Sequence, residues 1–236
     1  MSSRSDWAAV IVAAGRGERF GRPKQFLELA GIPMVGWSIR TFAAMPEVAE
    51  IVVVTEPQWI DRMRDLCARL VPDRSIRVVE GGATRQESVR NGLRAVPEAC
   101  GAVLVHDGAR PMVRAGDVRA AMNEVAEGRA ALLARRVVDT IKVVDPASLV
   151  VVSTPNRETL WAAQTPQCAL TSDLRRAHEH AQREGIEATD DAALLERIGV
   201  HVAIVPAEHE NLKVTLPEDV ERVRALLHET PSVREA

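Results

Sequence analysis

The chain has 236 residues, 46% hydrophobic and 27% charged, a composition that supports a full core and excludes intrinsic disorder. Thirty basic against 33 acidic residues give a net charge of -3, so no overall positive field exists to hold a nucleic-acid backbone or an anionic membrane. No apolar run has the length of a membrane span, no signal peptide is expected, and the scattered Cys67, Cys100 and Cys168 lack a CxxC pair, which disfavours a disulfide framework or zinc finger and leaves a cytoplasmic protein.

Taken in chain order, apolar and β-branched runs at Ala8–Ala13, Ile51–Thr55, Ile76–Val79, Ala102–His106, Ala130–Ala134 and His201–Val205 predict strands. Helical spacing is expected over Val35–Met45, Ile60–Leu70, Glu87–Val96, Asp117–Glu127, Ser172–Glu184, Asp190–Ile198 and Glu218–Leu227. This alternation predicts an α/β fold with one doubly wound, mostly parallel sheet, its strand-to-helix loops gathered on one edge. The pattern breaks between Val137 and Gln164, where Val137–Val144, Leu149–Val152 and Thr159–Ala163 read as strands joined by turns at Asp145-Pro146 and Pro155-Asn156. Such a β-arm, about residues 137–164, needs a partner for its edges, either another subunit or the face of its own domain. A single domain over 1–236 is expected, with no second domain and disorder only in the tails Met1–Ser5 and Pro231–Ala236.

The first strand runs into Ala13-Ala14-Gly15-Arg16-Gly17-Glu18-Arg19-Phe20-Gly21-Arg22-Pro23-Lys24-Gln25. A glycine-rich turn at this point exposes backbone N–H groups to a polyphosphate. Phe20 stands where GxGxxG requires glycine, which disfavours an NAD-binding oxidoreductase, and no GKS or GKT completes a Walker loop. Backbone donors with Arg19 and Lys24 suit nucleotidyl transfer, in which negative charge accumulates on the α-phosphorus and the departing pyrophosphate. Lys24 stands out further because only three of the 30 basic residues, Lys24, Lys142 and Lys213, are lysines, and a site built for a point charge does not readily accept an arginine fork. Gly81-Gly82 with Ser88 offers backbone and hydroxyl groups to a pyrimidine edge; a plain turn before a helix is the alternative. Asp107, ending the fourth strand, is a hard oxygen ligand for Mg2+ beside incoming phosphates, or else a helix cap, and Arg110 is placed to meet an acceptor phosphate. His106 reads as a core histidine, Asp190-Asp191 as a helix start rather than a metal site, and His178 with His180 as side chains that point apart.

Several motifs then occur in order: Ala13-Ala14-Gly15-x-Gly17-x-Arg19-Phe20 with Pro23-Lys24-Gln25, Gly81-Gly82-Ala83-Thr84-Arg85-Gln86-Glu87-Ser88-Val89, Val105-His106-Asp107-Gly108-Ala109-Arg110-Pro111, Asp139-Thr140-Ile141-Lys142, Arg157 to Trp161 with Gln164-Thr165-Pro166-Gln167, Thr189-Asp190-Asp191-Ala192 and Asn211-Leu212-Lys213-Val214-Thr215. Over about residues 7 to 228 this set resembles the polyol-phosphate nucleotidyltransferases, specifically the 2-C-methyl-D-erythritol 4-phosphate cytidylyltransferase family. The resemblance implies a homodimeric, Mg2+-dependent transfer of CMP from CTP to the polyol phosphate. It further implies cytosine selection by the Gly81 segment and acceptor binding by Thr140, Thr165 and Arg157, with Arg157 arriving from the arm of the neighbouring subunit. Lys213 is implied to act on the α-phosphate of CTP and the attacking phosphate. Ala83 replaces the aspartate common in relatives, and Lys142, on the strand of Thr140, receives no role. A ribitol 5-phosphate cytidylyltransferase and a nucleotide-binding regulatory module without chemistry remain as alternatives.

Overall fold

Burial on both faces of the first strand sets the architecture. In the computed structural model, which describes residues 7–15, 20 and 23–229, Ala8 to Ile11 of β1 (Trp7–Ala13) are wholly inaccessible. The expectations for Met1–Ser5, Gly17, Arg19 and Pro231–Ala236 lie outside the described residues. After β1 come a β-hairpin of β2 (Glu28–Leu29) and β3 (Ile32–Pro33), then α1 (Met34–Ala43), β4 (Val48–Thr55), α2 (Ile60–Leu70), β5 (Ile76–Glu80), α3 (Arg85–Ala95), β6 (Ala102–Asp107), α4 (Ala115–Asn123) and β7 (Arg129–Arg136). The arm strands β8 (Val143–Val144) and β9 (Val151–Ser153) follow, then β10 (Trp161–Leu170), α5 (Thr171–Glu184), α6 (Asp191–Arg197), β11 (His201–Pro206) and α7 (Pro217–Glu229).

Seven strands form the main sheet in the order β11-β7-β10-β6-β1-β4-β5. Successive residues of a strand face opposite sides, so Ala9, Ile11, Ile51, Val53 and Leu104 pack with Ile39 and Phe42 of α1, Met63 of α2 and Val118 of α4. The intervening Ala8, Val10, Val52, Val54 and Val103 pack with Leu93 of α3, Leu174 of α5 and Leu195 of α6. This is the doubly wound arrangement the apolar runs predict. The register places the ends of four parallel strands at one level, with Val12 opposite Asp107, Ala13 opposite Thr55 and Thr55 opposite Glu80. Pairing continues one step into the loops through Gly81 N–H to Thr55 O at 2.8 Å and Gly108 N–H to Val12 O at 2.9 Å. The loops after β1, β4, β5 and β6 are thereby drawn to the same edge.

The arm differs from the expected three strands. Only Val143–Val144 and Val151–Ser153 pair as a ribbon, and of the segment expected as Thr159–Ala163, Thr159 ends a 3-10 turn while Trp161–Ala163 begin β10, which enters the main sheet antiparallel between β6 and β7. Its register shifts between Ala163 and Gln167. Pro166 supplies no ladder donor and the flanking glutamines break the apolar pattern, which hid this strand's continuation in the sequence. Among the described residues, eight of the ten large apolar side chains most exposed to solvent lie in the arm, with Val138 at 78%, Leu149 at 76% and Val152 at 68%.

Close helix-on-sheet packing gives a stability test. A Cβ on Gly92 of α3 would stand 2.5 Å from Val10 Cγ1 and 2.9 Å from Val54 Cγ2, whereas one on Gly116 of α4 would meet nothing within 4 Å. In chemical denaturation Gly92→Ala is expected to destabilise the protein by about 1–3 kcal/mol through overpacking. Gly116→Ala is expected to stabilise it by about 0.5–1 kcal/mol, because alanine loses less entropy in a helix.

Candidate active site

The sheet edge encloses a cleft of about 1160 Å³ between the loops after β1, β4, β5 and β6, closed on the other side by Lys24 and the extended segment around Lys213. Asp107, the last residue of β6, lines it and is only 8% exposed. Three bonds fix the carboxylate's backbone from behind. Asp107 N–H donates to Thr165 Oγ1 at 3.1 Å, that hydroxyl meets His106 Nδ1 at 3.1 Å, and His106 Nε2 meets Arg110 O at 3.1 Å. Since a carbonyl only accepts, the Nε2 proton belongs on His106 and Thr165 donates to Nδ1. Burial depresses the His106 pKa to about 4, which keeps it neutral, and it packs edge-on against Phe42. His106 is thus a hydrogen-bonded core residue, as its sequence context predicts.

Both carboxylate oxygens of Asp107 are occupied. Arg85 Nε lies 3.0 Å from Oδ1, Lys213 Nζ 2.8 Å from Oδ2, and Arg110 Nε 3.9 Å from Oδ2. Burial alone would raise the pKa of Asp107, but the opposing charge of Arg85, followed by that of Lys213, outweighs it and holds the carboxyl well below the usual range. Arg85 is the member of this group that sequence reasoning did not assign. Its other limb reaches Asp191 Oδ2 at 3.0 Å, and Asp191 Oδ1 meets His178 Nε2 at 3.1 Å, with Asp191 1% exposed. Desolvation opposes the Arg85 charge, yet Asp191 and then Asp107 more than compensate and strengthen its protonation. One arginine among 27 carries no signal of its own, and its partners lie 22 and 106 positions away.

The second wall is backbone. A Cβ on Gly81 would stand 2.4 Å from Ala14 Cβ, and one on Gly82 2.3 Å from Glu87 Cβ, so both positions require glycine for close approach. Ser88 is 2% exposed and its hydroxyl accepts from Gly82 N–H at 3.1 Å while donating to Thr84 O at 2.9 Å; it shapes the turn. Thr84 caps α3 by accepting from Glu87 N–H at 3.1 Å, and Glu87 Oε2 accepts from Ala83 N–H at 2.7 Å. Ala13, Ala14 and Gly15 line the opposite side. Lys24 donates to Val214 O at 3.1 Å, and Val214 N–H donates to Ala109 O at 2.8 Å, which brings the two lysines of the cleft to one extended segment. That segment has no regular secondary structure.

Other candidates fall elsewhere. Thr165 is 3% exposed, with its hydroxyl turned to Asp107 and His106, and Arg110 donates to Asn211 O at 2.8 Å while Asn211 donates to Thr165 O at 2.7 Å. Thr140 and Arg157 are exposed on the arm, outside the lining of this chain's cleft; Arg157 donates to Val138 O at 2.8 Å and Lys142 to Thr154 Oγ1 at 2.9 Å. Asp190 caps α6 through Ala193 N–H at 3.0 Å, the helix start expected, and Gln167 ties this cap to β10.

The Arg85–Asp191 pair has a predictable acid dependence. Asp191 has a folded-state pKa below its ordinary 3.8, so its contribution to stability is complete above that value and is lost as pH falls through the depressed one. Asp191→Asn would present an amide donor to Arg85 and is expected to cost about 3–5 kcal/mol at pH 7. Denaturation curves should show the gap from wild type narrowing below pH 3.8; a gap independent of pH would contradict the pairing.

The comparisons with known proteins identify the family and the fold. The family model for 2-C-methyl-D-erythritol 4-phosphate cytidylyltransferase matches residues 7–229. The chain is 41% identical over 223 residues to the enzyme of that name from Pelotomaculum thermopropionicum, covering 93% of each chain. The crystal structure of 4-diphosphocytidyl-2C-methyl-D-erythritol synthase from Anaerococcus prevotii superposes with a TM-score of 0.86 at 29% identity, covering 96% of this chain and 97% of that one. That of 2-C-methyl-D-erythritol 4-phosphate cytidylyltransferase from Thermus thermophilus gives 0.74 at 32% identity, covering 93% and 98%. No helix among the described residues is long and apolar enough to cross a membrane. With the family model matched over residues 7–229 and a relative 41% identical over 223 residues, the chain belongs to the 2-C-methyl-D-erythritol 4-phosphate cytidylyltransferase family.

Proposed function

We propose that the cleft transfers CMP from CTP to 2-C-methyl-D-erythritol 4-phosphate, releasing pyrophosphate and forming the 4-diphosphocytidyl product. The observation that carries this reading is the buried carboxylate of Asp107, set among Arg85, Lys213 and Arg110 in a cleft with glycine backbone on one side and Lys24 on the other. An oxygen of the acceptor phosphate attacks the α-phosphorus of CTP, and the bond to the β-phosphate oxygen breaks, with its electron pair leaving on pyrophosphate. The acceptor phosphate is already ionised near neutral pH, so no general base is needed. Catalysis then rests on alignment and on neutralising charge.

Lys24, together with Arg19, stabilises charge developing on the transferred group, and Lys213 draws the two mutually repelling anions together. Asp107 suits Mg2+ because that ion binds through one or two carboxylates plus substrate phosphates, and a carboxylate kept ionised beside a phosphate cleft is such a donor. When bound there, the metal supplies neutralisation of the leaving phosphates. Backbone at Ala13 to Gly15 and Gly17 cradles phosphate, and backbone at Gly81 to Ala83, held in shape by Ser88, reads the cytosine edge. Thr165 and Arg110 support the acceptor side from behind Asp107. Thr140 and Arg157 complete the acceptor pocket from the arm, Arg157 reaching the site of a second copy in a homodimer. The apolar exposure concentrated on the arm supports that assembly.

Pyrophosphate release should be measured with each of the four NTPs, Mg2+ and either methylerythritol phosphate or ribitol phosphate. Activity is expected with CTP and methylerythritol phosphate; silence with every pair would favour a regulatory module. Lys24→Ala should lower kcat roughly a hundredfold or more with a smaller change in KM, because its charge acts mainly in the transition state.

The shared acceptor pocket has its own test. Arg157→Ala should raise KM for the polyol phosphate and leave CTP affinity nearly intact. Mixing Arg157→Ala chains with Lys24→Ala chains should restore activity, since a heterodimer contains one site with neither lesion. Subunit exchange is followed by mass-tagged chains; exchange without recovery would place Arg157 outside the partner's site.

A further inference from the structure

Asp107 presents two oxygens in unlike settings. Oδ1 is held by Arg85, an arginine in the first turn of α3 that is 26% exposed and bound at its other end to the buried Asp191. Oδ2 is held by Lys213, whose side chain is 38% exposed, extends from a segment without regular structure and carries its charge on a flexible stem. Arg85 spans two carboxylates with a rigid fork, so its contact with Oδ1 is anchored at the other end by the buried Asp191. The Lys213 contact is one ammonium on one oxygen. A divalent cation ligated at about 2.0–2.1 Å would meet the lysine charge directly if both engaged Oδ2. Arg110, 3.9 Å from the same oxygen, adds to that repulsion.

We propose that Asp107 is a divided carboxylate: Oδ1 is clamped by Arg85, while Oδ2 is exchanged between Lys213 in the free protein and the divalent cation in the nucleotide complex. Arg85 is thus a positioning residue, and Lys213 serves two partners in turn. In the free protein it closes the metal site. Nucleotide phosphates then offer the lysine a richer anionic partner, and its departure uncovers Oδ2. Free metal is excluded until nucleotide enters. This inference rests on the proposed nucleotidyl-transfer reading.

The test needs no turnover. Mn2+ is titrated into the nucleotide-free full-length protein, and the remaining free ion is read from its solution EPR signal. Wild type is expected to bind weakly, whereas Lys213→Met and Lys213→Gln should each bind roughly tenfold more tightly, although both lose catalysis. Adding Asp107→Asn to either variant should abolish the gain. Melting curves check folding, and either lysine variant that folds decides the matter. An affinity no better than wild type overturns the exchange, as does a gain that survives loss of the Asp107 carboxylate. Pyrophosphate release separates the two readings: an active enzyme whose lysine variants gain nothing loses the exchange alone. A protein inactive with every substrate pair whose variants still gain Mn2+ loses the proposed activity alone.

Discussion

A carboxylate placed at the end of a central strand, almost out of water, is stable only if cations come to it. Asp107 imposes that condition on four separate parts of the chain. Arg85 must open α3, Arg110 must follow in the turn after β6, Lys213 must arrive on the segment before α7, and Asp191 must balance Arg85 from the start of α6. The Arg85, Lys213 and Asp191 contacts join residues distant in sequence to the same edge of the sheet, whereas Arg110 comes from the adjacent turn. The charge arrangement therefore also fixes tertiary structure there, and the cleft geometry that suits a polyanion follows from satisfying one buried anion.

Small residues make the remainder of the cleft possible. Ala14 and Gly81 approach so closely that a methyl on the glycine would overlap its neighbour, and Gly82 is equally confined by Glu87. Close approach leaves backbone groups, rather than side chains, facing the space between the loops. A wall of fixed N–H and C=O groups keeps its position without the entropy cost of ordering long side chains. The turn is held by its own helix: Ser88 and Glu87 bond Gly82 and Ala83, so α3 both presents Arg85 and shapes the wall beside it.

The arm bears on the proposed assembly through its exposed apolar side chains. A two-stranded ribbon with Val138, Leu149 and Val152 in water buries too little apolar surface to be stable by itself. Its covering by a second copy would convert exposed apolar area into stability and would carry Arg157 and Thr140 away from their own cleft. In that proposed arrangement the acceptor half of the site would depend on the dimer, while the nucleotide half would belong to one chain.

The sequence by itself determined the sheet and its helices. The apolar runs from Ala8–Ala13 to His201–Val205 and the helical spacings between them match observed elements to within a few residues, because burial on two faces writes a local, periodic signal. It also singled out Asp107, Lys24 and Lys213, whose residue types are unusual where they stand. What it did not contain is pairing across distance. Arg85 is one of 27 arginines and becomes distinctive only when folding places Asp107 on one side and Asp191 on the other. The inward turn of Thr165 and the passage of β10 from the arm into the main sheet were equally hidden, since Gln164-Thr165-Pro166-Gln167 has neither strand alternation nor apolar character. Periodicity records which face of an element is buried, but the contacts that a buried polar group makes are chosen by whichever segments meet there, and that choice belongs to the tertiary structure alone.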